Sequence, residues 1–279
     1  DYEATISGDC GENGSIKLSV GQNKTCIITN NDIAPKLTVT KVVVNDNGGT
    51  LEVSDFPLFI DNVRVTSGVP FSELVVGSHV VSEEVRDGYA SSISGDCDAN
   101  GNINLNLADV KQCTITNDDI APLLTVTKVV VNDNGGTLQV SDFPLFVDNN
   151  SNQVNSGVQN VVDAGQHSVF ETQQNGYAAT FSGDCDVNGT ITLSLADNKT
   201  CIITNDDIPG EIHGMKFNDL DGNGVKNNGE LGLAGWTIFL DADDNGVLNN
   251  GEVSKVTGAD GDYEFTGLSV GSYNVREVN

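Results

Sequence analysis

Long stretches of the chain alternate between apolar and polar residues with a period of two. The segments LTVTKVVV and INLNL are rich in β-branched residues, and turn-forming strings such as DNGG and NG separate them from their neighbours. Because successive side chains of a strand point to opposite faces, this alternation is typical of half-buried strands. A sustained apolar stripe with the helical period of 3.6 is absent from the sequence. The pattern therefore predicts an all-β chain.

The strand pattern repeats along the chain. The string KLTVTKVVVNDNGGTLEVSDFPLF at residues 36–59 returns as LLTVTKVVVNDNGGTLQVSDFPLF at residues 123–146, and the second half of the repeat occurs three times, from Asp1, Asp87 and Asn175. Repetition at a fixed period indicates an array of similar domains. We expect four domains: 1–35 as the terminal part of a repeat, 36–122 and 123–209 as complete repeats, and 210–279 as a different module.

Each complete repeat contains about seven short strands with turn signals between them, which predicts two antiparallel sheets packed as an Ig-like or prealbumin-like β-sandwich. Short linkers with a proline, such as NDDIAPLL, lead from the last strand of one repeat to the first strand of the next. Such linkers predict a stiff tandem array. Because only the tail of the first repeat is present, we expect the chain to be part of a longer polypeptide.

A pair of cysteines, 16 positions apart, occurs in each copy of the repeated second half. Six cysteines can pair in 15 ways, but repeat symmetry favours pairing within a unit. The predicted disulfides, each worth on the order of 3 kcal/mol, are Cys10–Cys26, Cys97–Cys113 and Cys185–Cys201. A thiolate zinc site would lack two of the four ligands that zinc prefers, and pairing between neighbouring molecules is the other alternative.

Composition narrows the class of protein. The 279 residues include 40 acidic ones and carry a net charge of −27, so the surface repels nucleic acids and anionic lipids and favours cations. The sequence has no apolar run long enough for a membrane span. Small domains with disulfides are typical of exported proteins. We therefore predict an extracellular, cell-surface protein that has no nucleic-acid partner.

Each complete repeat carries a lysine and an asparagine at positions that face its interior. Lys41 shares a strand face with Val39, and Asn117 shares a face of the last strand with Ile115. Glu83 lies between them in the sequence. The second repeat supplies the same residue types in the same order, as Lys128, Glu171 and Asn205.

A first-strand lysine, a glutamate before a GY pair and a last-strand asparagine resemble the prealbumin-like, collagen-adhesin B-type repeats of microbial surface proteins and pilins. The resemblance covers nearly the whole chain. It implies an isopeptide bond that the lysine and the asparagine form by themselves, while the glutamate carries protons. A buried ion pair between the lysine and the glutamate is the alternative interpretation.

The last segment contains two twelve-residue acidic loops, DLDGNGVKNNGE and DADDNGVLNNGE. Oxygen ligands at positions 1, 3, 5 and 12 and a glycine at position 6 are typical of a loop that binds Ca²⁺. The predicted ligands are Asp219, Asp221, Asn223, the Val225 carbonyl and Glu230 in the first loop, and Asp241, Asp243, Asn245, the Val247 carbonyl and Glu252 in the second. Plain turns rich in Asp, Asn and Gly are the alternative.

The same segment is similar to the calcium-binding B repeats of staphylococcal serine-aspartate surface proteins. The shared features are the FNDLDGNG opening, the GLAGW strand and the DGDYEFTGL turn. The resemblance implies that calcium stiffens this module.

These patterns favour a structural protein over an enzyme. The three histidines, His79, His167 and His213, belong to no recognisable catalytic group. We predict a stalk or filament segment whose partners are adjoining repeats or neighbouring copies of itself. In a filament, the tail at residues 1–33 would complete an unfinished domain of another chain by strand addition. The alternative is an adhesin that binds a host protein or a glycan through its loops, although aromatic residues make up only 6% of the chain.

Overall fold

The computed structural model describes residues 1–278, and the regular structure of this part of the chain is almost entirely β-strand. The predicted fold class is confirmed. No helix among these residues is both long enough and apolar enough to cross a membrane. The chain forms two compact units, one of Asp1–Leu124, Asn160–Gln166 and Thr192–Lys199, and the other of Thr125–Gln159, His167–Ile191 and Thr200–Asn279.

The tail and the first complete repeat contain the first ten strands. They are β1 (Tyr2–Gly8), β2 (Cys26–Asp32), β3 (Lys36–Val44), β4 (Leu58–Ile60), β5 (Val63–Val65), β6 (Pro70–Phe71), β7 (Gly77–Glu83), β8 (Tyr89–Gly95), β9 (Asn102–Leu105) and β10 (Val110–Asp119), with a 3-10 helix at Val53–Asp55. Strands β1 and β2 form an antiparallel pair. The complete repeat has two four-stranded sheets, in the orders β6-β3-β10-β8 and β5-β4-β7-β9.

The second complete repeat contains the next eight strands in an equivalent arrangement. They are β11 (Leu123–Val131), β12 (Leu145–Val147), β13 (Gln153–Val154), β14 (Gln159–Val161), β15 (Gly165–Glu171), β16 (Tyr177–Gly183), β17 (Thr190–Leu193) and β18 (Asn198–Asp207), with a 3-10 helix at Val140–Asp142. The sheet orders are β14-β11-β18-β16 and β13-β12-β15-β17.

The last module contains five strands. They are β19 (Gly210–Met215), β20 (Thr237–Leu240), β21 (Ser254–Val256), β22 (Asp262–Leu268) and β23 (Val275–Glu277). Strand β19 pairs with β22, and the second sheet has the order β21-β20-β23. Its small core includes Ile238, Leu240 and Phe265.

The first and last strands of a complete repeat lie side by side. Strand β3 pairs with β10 in parallel, with Lys41 opposite Ile115, whereas β10 and β8 are antiparallel. The parallel pair is an exception to the predicted antiparallel pairing. It forms because all other strands of the repeat lie between β3 and β10 in the sequence, and together they make the long crossover that a parallel pair requires.

The core of the first complete repeat lies between its two sheets. Buried residues alternate with half-buried ones along the middle of β3 and along much of the second half of β10. Each fully buried aliphatic side chain contributes about 1.5–3 kcal/mol. The main apolar cluster of this core consists of Leu37, Val39, Leu58, Ile60, Leu74, Val81, Cys97, Ile103, Leu105, Cys113 and Ile115.

Each cysteine pairs with the one 16 positions away, as repeat symmetry predicts. The Cα atoms of Cys97 and Cys113 are 5.4 Å apart, a separation typical of disulfides. Both residues are buried. The disulfide therefore attaches the turn after β8 to the last strand, inside the core.

Candidate functional site

A buried cluster of lysine, glutamate and asparagine lies between the two sheets of each complete repeat. In the first of these repeats, Lys41 on β3 and Asn117 on β10 come from one sheet, and Glu83 at the end of β7 comes from the other. Lys41 is 4% exposed and Asn117 is 1% exposed. The alternation of inward and outward residues along β3 and β10 places both side chains in the interior.

The lysine of the first complete repeat is held by its glutamate. Lys41 Nζ lies 2.8 Å from Glu83 Oε2 and 3.5 Å from the Ile115 carbonyl oxygen. The hydroxyl of Ser91 donates a hydrogen bond of 2.7 Å to the other oxygen of the glutamate, Oε1. Among the described residues, the buried Oδ1 of Asn117 has no hydrogen-bond partner. The asparagine therefore stands beside the ion pair without joining it through this oxygen.

The second complete repeat connects all three residues. Lys128 Nζ lies 2.9 Å from Glu171 Oε2 and donates a hydrogen bond of 2.5 Å to Asn205 Oδ1. The side-chain amide of Asn205 donates to Glu171 Oε1 at 2.6 Å. The amine and the carboxamide thus meet directly, with the carboxylate in contact with both.

An aromatic ring completes each cluster. Lys41 Nζ lies 4.7 Å from the ring centroid of Phe56, and Lys128 Nζ lies 4.5 Å from that of Phe143. Burial lowers the pKa of both lysines, and the hydrogen bond and charge of the neighbouring glutamate offset this only in part. A lysine with a lowered pKa loses its proton more readily, and the neutral amine is a nucleophile.

The first acidic loop of the last module joins β19 to β20 and brings its carboxylates together. Oxygens of Asp219, Asp221 and Glu230 lie within 4.8 Å of one another. The Glu230 carboxylate accepts hydrogen bonds from the backbone N–H groups of Leu220 and Asn227, both at 2.8 Å, and so closes the loop. The other predicted ligands are adjacent, since Asn223 contacts Asp221 and accepts a hydrogen bond from the backbone N–H of Val225.

The second acidic loop joins β20 to β21 and shares most of the internal hydrogen bonds of the first. Oxygens of Asp241, Asp243 and Glu252 lie within 4.8 Å of one another, while Asn245 contacts Asp243 and accepts from the backbone N–H of Val247. It differs from the first loop in its contacts with Arg276, which pairs with Asp241 and Asp244. Nε of Arg276 lies 2.5 Å from Asp241 Oδ2, so a protein cation already touches the first predicted ligand.

An aspartate that ends the last strand fixes a loop of its own repeat, and the sequence analysis missed it. The buried Asp119 carboxylate accepts hydrogen bonds from the backbone N–H groups of Asn47 and Gly49. Burial alone would raise the pKa of Asp119, but these hydrogen bonds hold it below its usual value. The Asn47 carbonyl in turn accepts from the N–H of Ala164 in the next repeat, at 2.8 Å.

The second complete repeat has an equivalent aspartate. Asp207 holds the backbone of Asn134 and Gly136, and the Asn134 carbonyl accepts from the N–H of Val270 in the last module. An aspartate follows the last-strand asparagine in both repeats, and the DNGG string also recurs. These two repeated features were the signal in the sequence that the aspartate holds this loop.

Each complete repeat also has a buried histidine whose contacts were not predicted from the sequence. His79 is 5% exposed, its Nδ1 lies 2.6 Å from Asp61 Oδ2, and its Nε2 lies 2.8 Å from the Val75 carbonyl oxygen. Because both ring nitrogens face acceptors, the doubly protonated ring fits best. His167 lies 2.8 Å from Asp148 in the second complete repeat. The recurrence of a histidine and an aspartate at matching repeat positions was the signal available in the sequence.

Two family models match the chain. The model of the prealbumin-like fold domain matches residues 32–115 and 118–203, and the model of the SdrD B-like domain matches residues 210–279. A comparison with curated proteins found no match.

Solved structures of Gram-positive surface proteins are similar at low identity. The Bacillus anthracis TIE protein is 19% identical with a TM-score of 0.47, and the match covers 91% of this chain but 47% of that protein. BcpA, the major pilin subunit of Bacillus cereus, is 13% identical with a TM-score of 0.29 and 87% of each chain covered. The major pilin from Streptococcus pyogenes is 13% identical with a TM-score of 0.28, over 63% of this chain and 99% of that one. This chain thus spans about half the length of the first of these proteins, and similarities this distant indicate no function.

We predict that His79 titrates above the ordinary histidine value of 6.5. Burial works to lower its pKa, but the hydrogen bonds to Asp61 and the Val75 carbonyl and the charge of Asp61 together raise it. The folded pKa then exceeds the unfolded pKa, so the stabilisation is complete below the unfolded value and is lost as the pH rises through the folded value.

NMR titration of the imidazole C–H signals measures this pKa directly. Asp61→Asn should lower the pKa of His79 by removing the charge. A pKa of His79 at or below the ordinary value of 6.5 would contradict the prediction.

Proposed function

Because the chain belongs to the prealbumin-like fold family, with an SdrD B-like domain after its repeats, we propose that it is a non-enzymatic, structural segment of an extracellular surface protein. In this proposal the repeats transmit tension along a cell-surface stalk or pilus-like filament. The buried cluster in each complete repeat is the observation that supports it most strongly.

The cluster lies where tension would enter and leave a repeat. The chain enters the first complete repeat through β3 and leaves it through β10, and these two strands are hydrogen-bonded neighbours. Lys41 and Asn117 belong to these two strands. A covalent bond between their side chains would carry the load between the strands, and the rest of the repeat would be bypassed.

The proposed reaction is a transamidation within the chain. Lys128 passes a proton to the Glu171 carboxylate, 2.9 Å away, and the neutral amine attacks the side-chain carbonyl carbon of Asn205. The Nζ–Cγ bond forms and the Cγ–Nδ2 bond breaks. Nδ2 leaves as ammonia with a proton that comes from the amine. The carboxyl group relays protons between the two nitrogens.

Proximity supplies most of the rate in this proposal. The lysine and the carboxamide are held in contact inside the core, and well-oriented intramolecular reactions reach effective concentrations of about 10⁵–10⁸ M. Lowering of the lysine pKa by burial raises the fraction of reactive amine. No cofactor is required.

The last module is proposed to bind calcium in its two acidic loops. Three carboxylates converge within 4.8 Å in each loop, and hard oxygen donors in an irregular arrangement suit calcium better than magnesium. Asp219, Asp221, Asn223, Glu230 and the Val225 carbonyl would hold one ion, and the equivalent residues of the second loop would hold another. A bound ion neutralises the clustered charge and ties the loop ends to β20, which stiffens a module whose core is small.

We predict that the intact chain weighs less than its sequence mass, after allowance for the disulfides, by one ammonia for each crosslinked complete repeat. Glu171→Gln should abolish the loss in the second repeat, because the amide cannot accept the lysine proton. Lys36→Ala is a control that removes an exposed lysine from the strand that carries Lys41. It should leave the ammonia loss of both repeats unchanged. Intact-mass spectrometry with peptide mapping measures both. A chain that keeps its full sequence mass would contradict the proposal.

We also predict that two calcium ions bind per chain and that the second loop binds more weakly, because Ca²⁺ must compete with Arg276 for Asp241. Glu230→Gln and Glu252→Gln should each remove one site from a calorimetric titration. Arg276→Ala should strengthen binding at the second loop, whereas Lys255→Ala, an exposed lysine on β21, should change neither.

Calcium at about one hundred times its dissociation constant should raise the free energy of unfolding of the module by about 2.7 kcal/mol per site. Thermal unfolding with and without a chelator measures this difference. The same unfolding temperature with and without the chelator would contradict the calcium proposal.

A further inference from the structure

The two complete repeats contain the same lysine, glutamate and asparagine, yet the clusters are bonded differently. In the second, the Asn205 amide donates to Glu171 Oε1 and Asn205 Oδ1 accepts from Lys128. In the first, Oδ1 of Asn117 has no partner among the described residues, and the lysine reaches the Ile115 carbonyl instead. Among the described residues, the lysine amine donates a hydrogen bond to the carboxamide oxygen in the second repeat and not in the first.

Most features around the clusters are shared and do not explain this difference. The lysine to glutamate distances are 2.8 and 2.9 Å, and both lysine side chains are fully buried. The rings of Phe56 and Phe143 lie at similar distances from the amines. The cause must therefore be a neighbour that differs between the repeats.

The residue opposite the asparagine differs. Across the antiparallel pairs, Ser91 faces Asn117 in the first complete repeat and Ala179 faces Asn205 in the second. Directly opposed residues of antiparallel strands point to the same side of the sheet. The serine hydroxyl therefore reaches the cluster, whereas the alanine has no donor to offer.

The serine occupies the oxygen that the asparagine uses in the other repeat. Ser91 Oγ donates to Glu83 Oε1 at 2.7 Å, and the equivalent atom, Glu171 Oε1, accepts from the Asn205 amide at 2.6 Å. The hydroxyl and the carboxamide compete for one acceptor. When the hydroxyl holds it, the carboxamide is not drawn toward the glutamate and the lysine.

We propose that Ser91 is a positioning residue that slows crosslinking of Lys41 to Asn117, and that Ala179 allows Lys128 and Asn205 to react quickly. The inference rests on the crosslinking proposed above. Both repeats undergo the same transamidation, with one ammonia released per bond. Their rates differ, so the second complete repeat becomes covalently closed first while the first is held by its ion pair.

The test follows both crosslinks in the full-length chain during cell-free synthesis under oxidising conditions. Samples are denatured at intervals and digested, and mass spectrometry quantifies the branched peptides that contain Lys41–Asn117 and Lys128–Asn205. The disulfide peptides of the same repeats report that each variant has folded.

In the wild-type chain, the branched peptide of the second complete repeat should appear several-fold faster than that of the first. Ser91→Ala should accelerate the first repeat toward the rate of the second, and Ala179→Ser should slow the second repeat several-fold. Ser91→Thr keeps a hydroxyl and should preserve slow crosslinking. Ser92→Ala is the matched control, because the side chain of Ser92 points to the opposite face of β8, and it should change neither rate.

Equal rates in the two wild-type repeats, or rates that the exchange of serine and alanine leaves unchanged, would overturn the inference while leaving the crosslinking itself intact. If neither branched peptide forms even at the end of the time course, the crosslinking proposal fails and this inference fails with it.

Discussion

Each complete repeat has to accommodate a lysine amine that has lost contact with water. An ion buried without a partner costs several kcal/mol, so the amine needs an anion and further acceptors within reach. Glu83 and Glu171 supply the anion from the opposite sheet, and an aromatic ring lies against each amine. Much of the architecture follows from this constraint, because the lysine, the glutamate and the asparagine must arrive from three strands that are far apart in sequence. The parallel pairing of the first and last strands brings the lysine and the asparagine into one sheet.

Other interactions stabilise parts of the chain that lie away from the cluster of lysine, glutamate and asparagine. The disulfide of each repeat attaches the turn after a neighbouring strand to the last strand. The aspartate after the asparagine holds the DNGG loop, whose backbone contacts the following repeat or module. The last module has no cysteine, and we propose that its acidic loops stabilise it by binding calcium. Small β-domains with thin cores commonly depend on such additional links.

Much of this could be predicted from local patterns in the sequence. Alternation along LTVTK predicted that Lys41 faces inward, and repeat symmetry predicted the disulfide pairs. The spacing of acidic residues in the loop predicted that Asp219, Asp221 and Glu230 lie close together. These inferences succeeded because strand parity and loop spacing are local properties.

The remaining features depend on contacts between distant strands. The parallel register of β3 and β10, the pairing of Ser91 with Asn117, and the contact of His79 with Asp61 all require knowledge of which strands are neighbours. A period of two fixes the face of a residue and leaves its partner across the sheet undetermined. For the same reason, the sequence alone does not show that Ser91 and Ala179 lie opposite the asparagines.

In the proposed function, tension bypasses the interior of a complete repeat through a bond between its first and last strands. Single-molecule stretching of the full chain by its ends, in reducing buffer so that disulfides do not contribute, tests this most directly. Lys128 and Asn205 are separated by 77 positions, and unfolding of that segment would add roughly 260 Å of extended chain. We predict that the second complete repeat never releases this length before the tether breaks. Repeated release of that length from this repeat would contradict it.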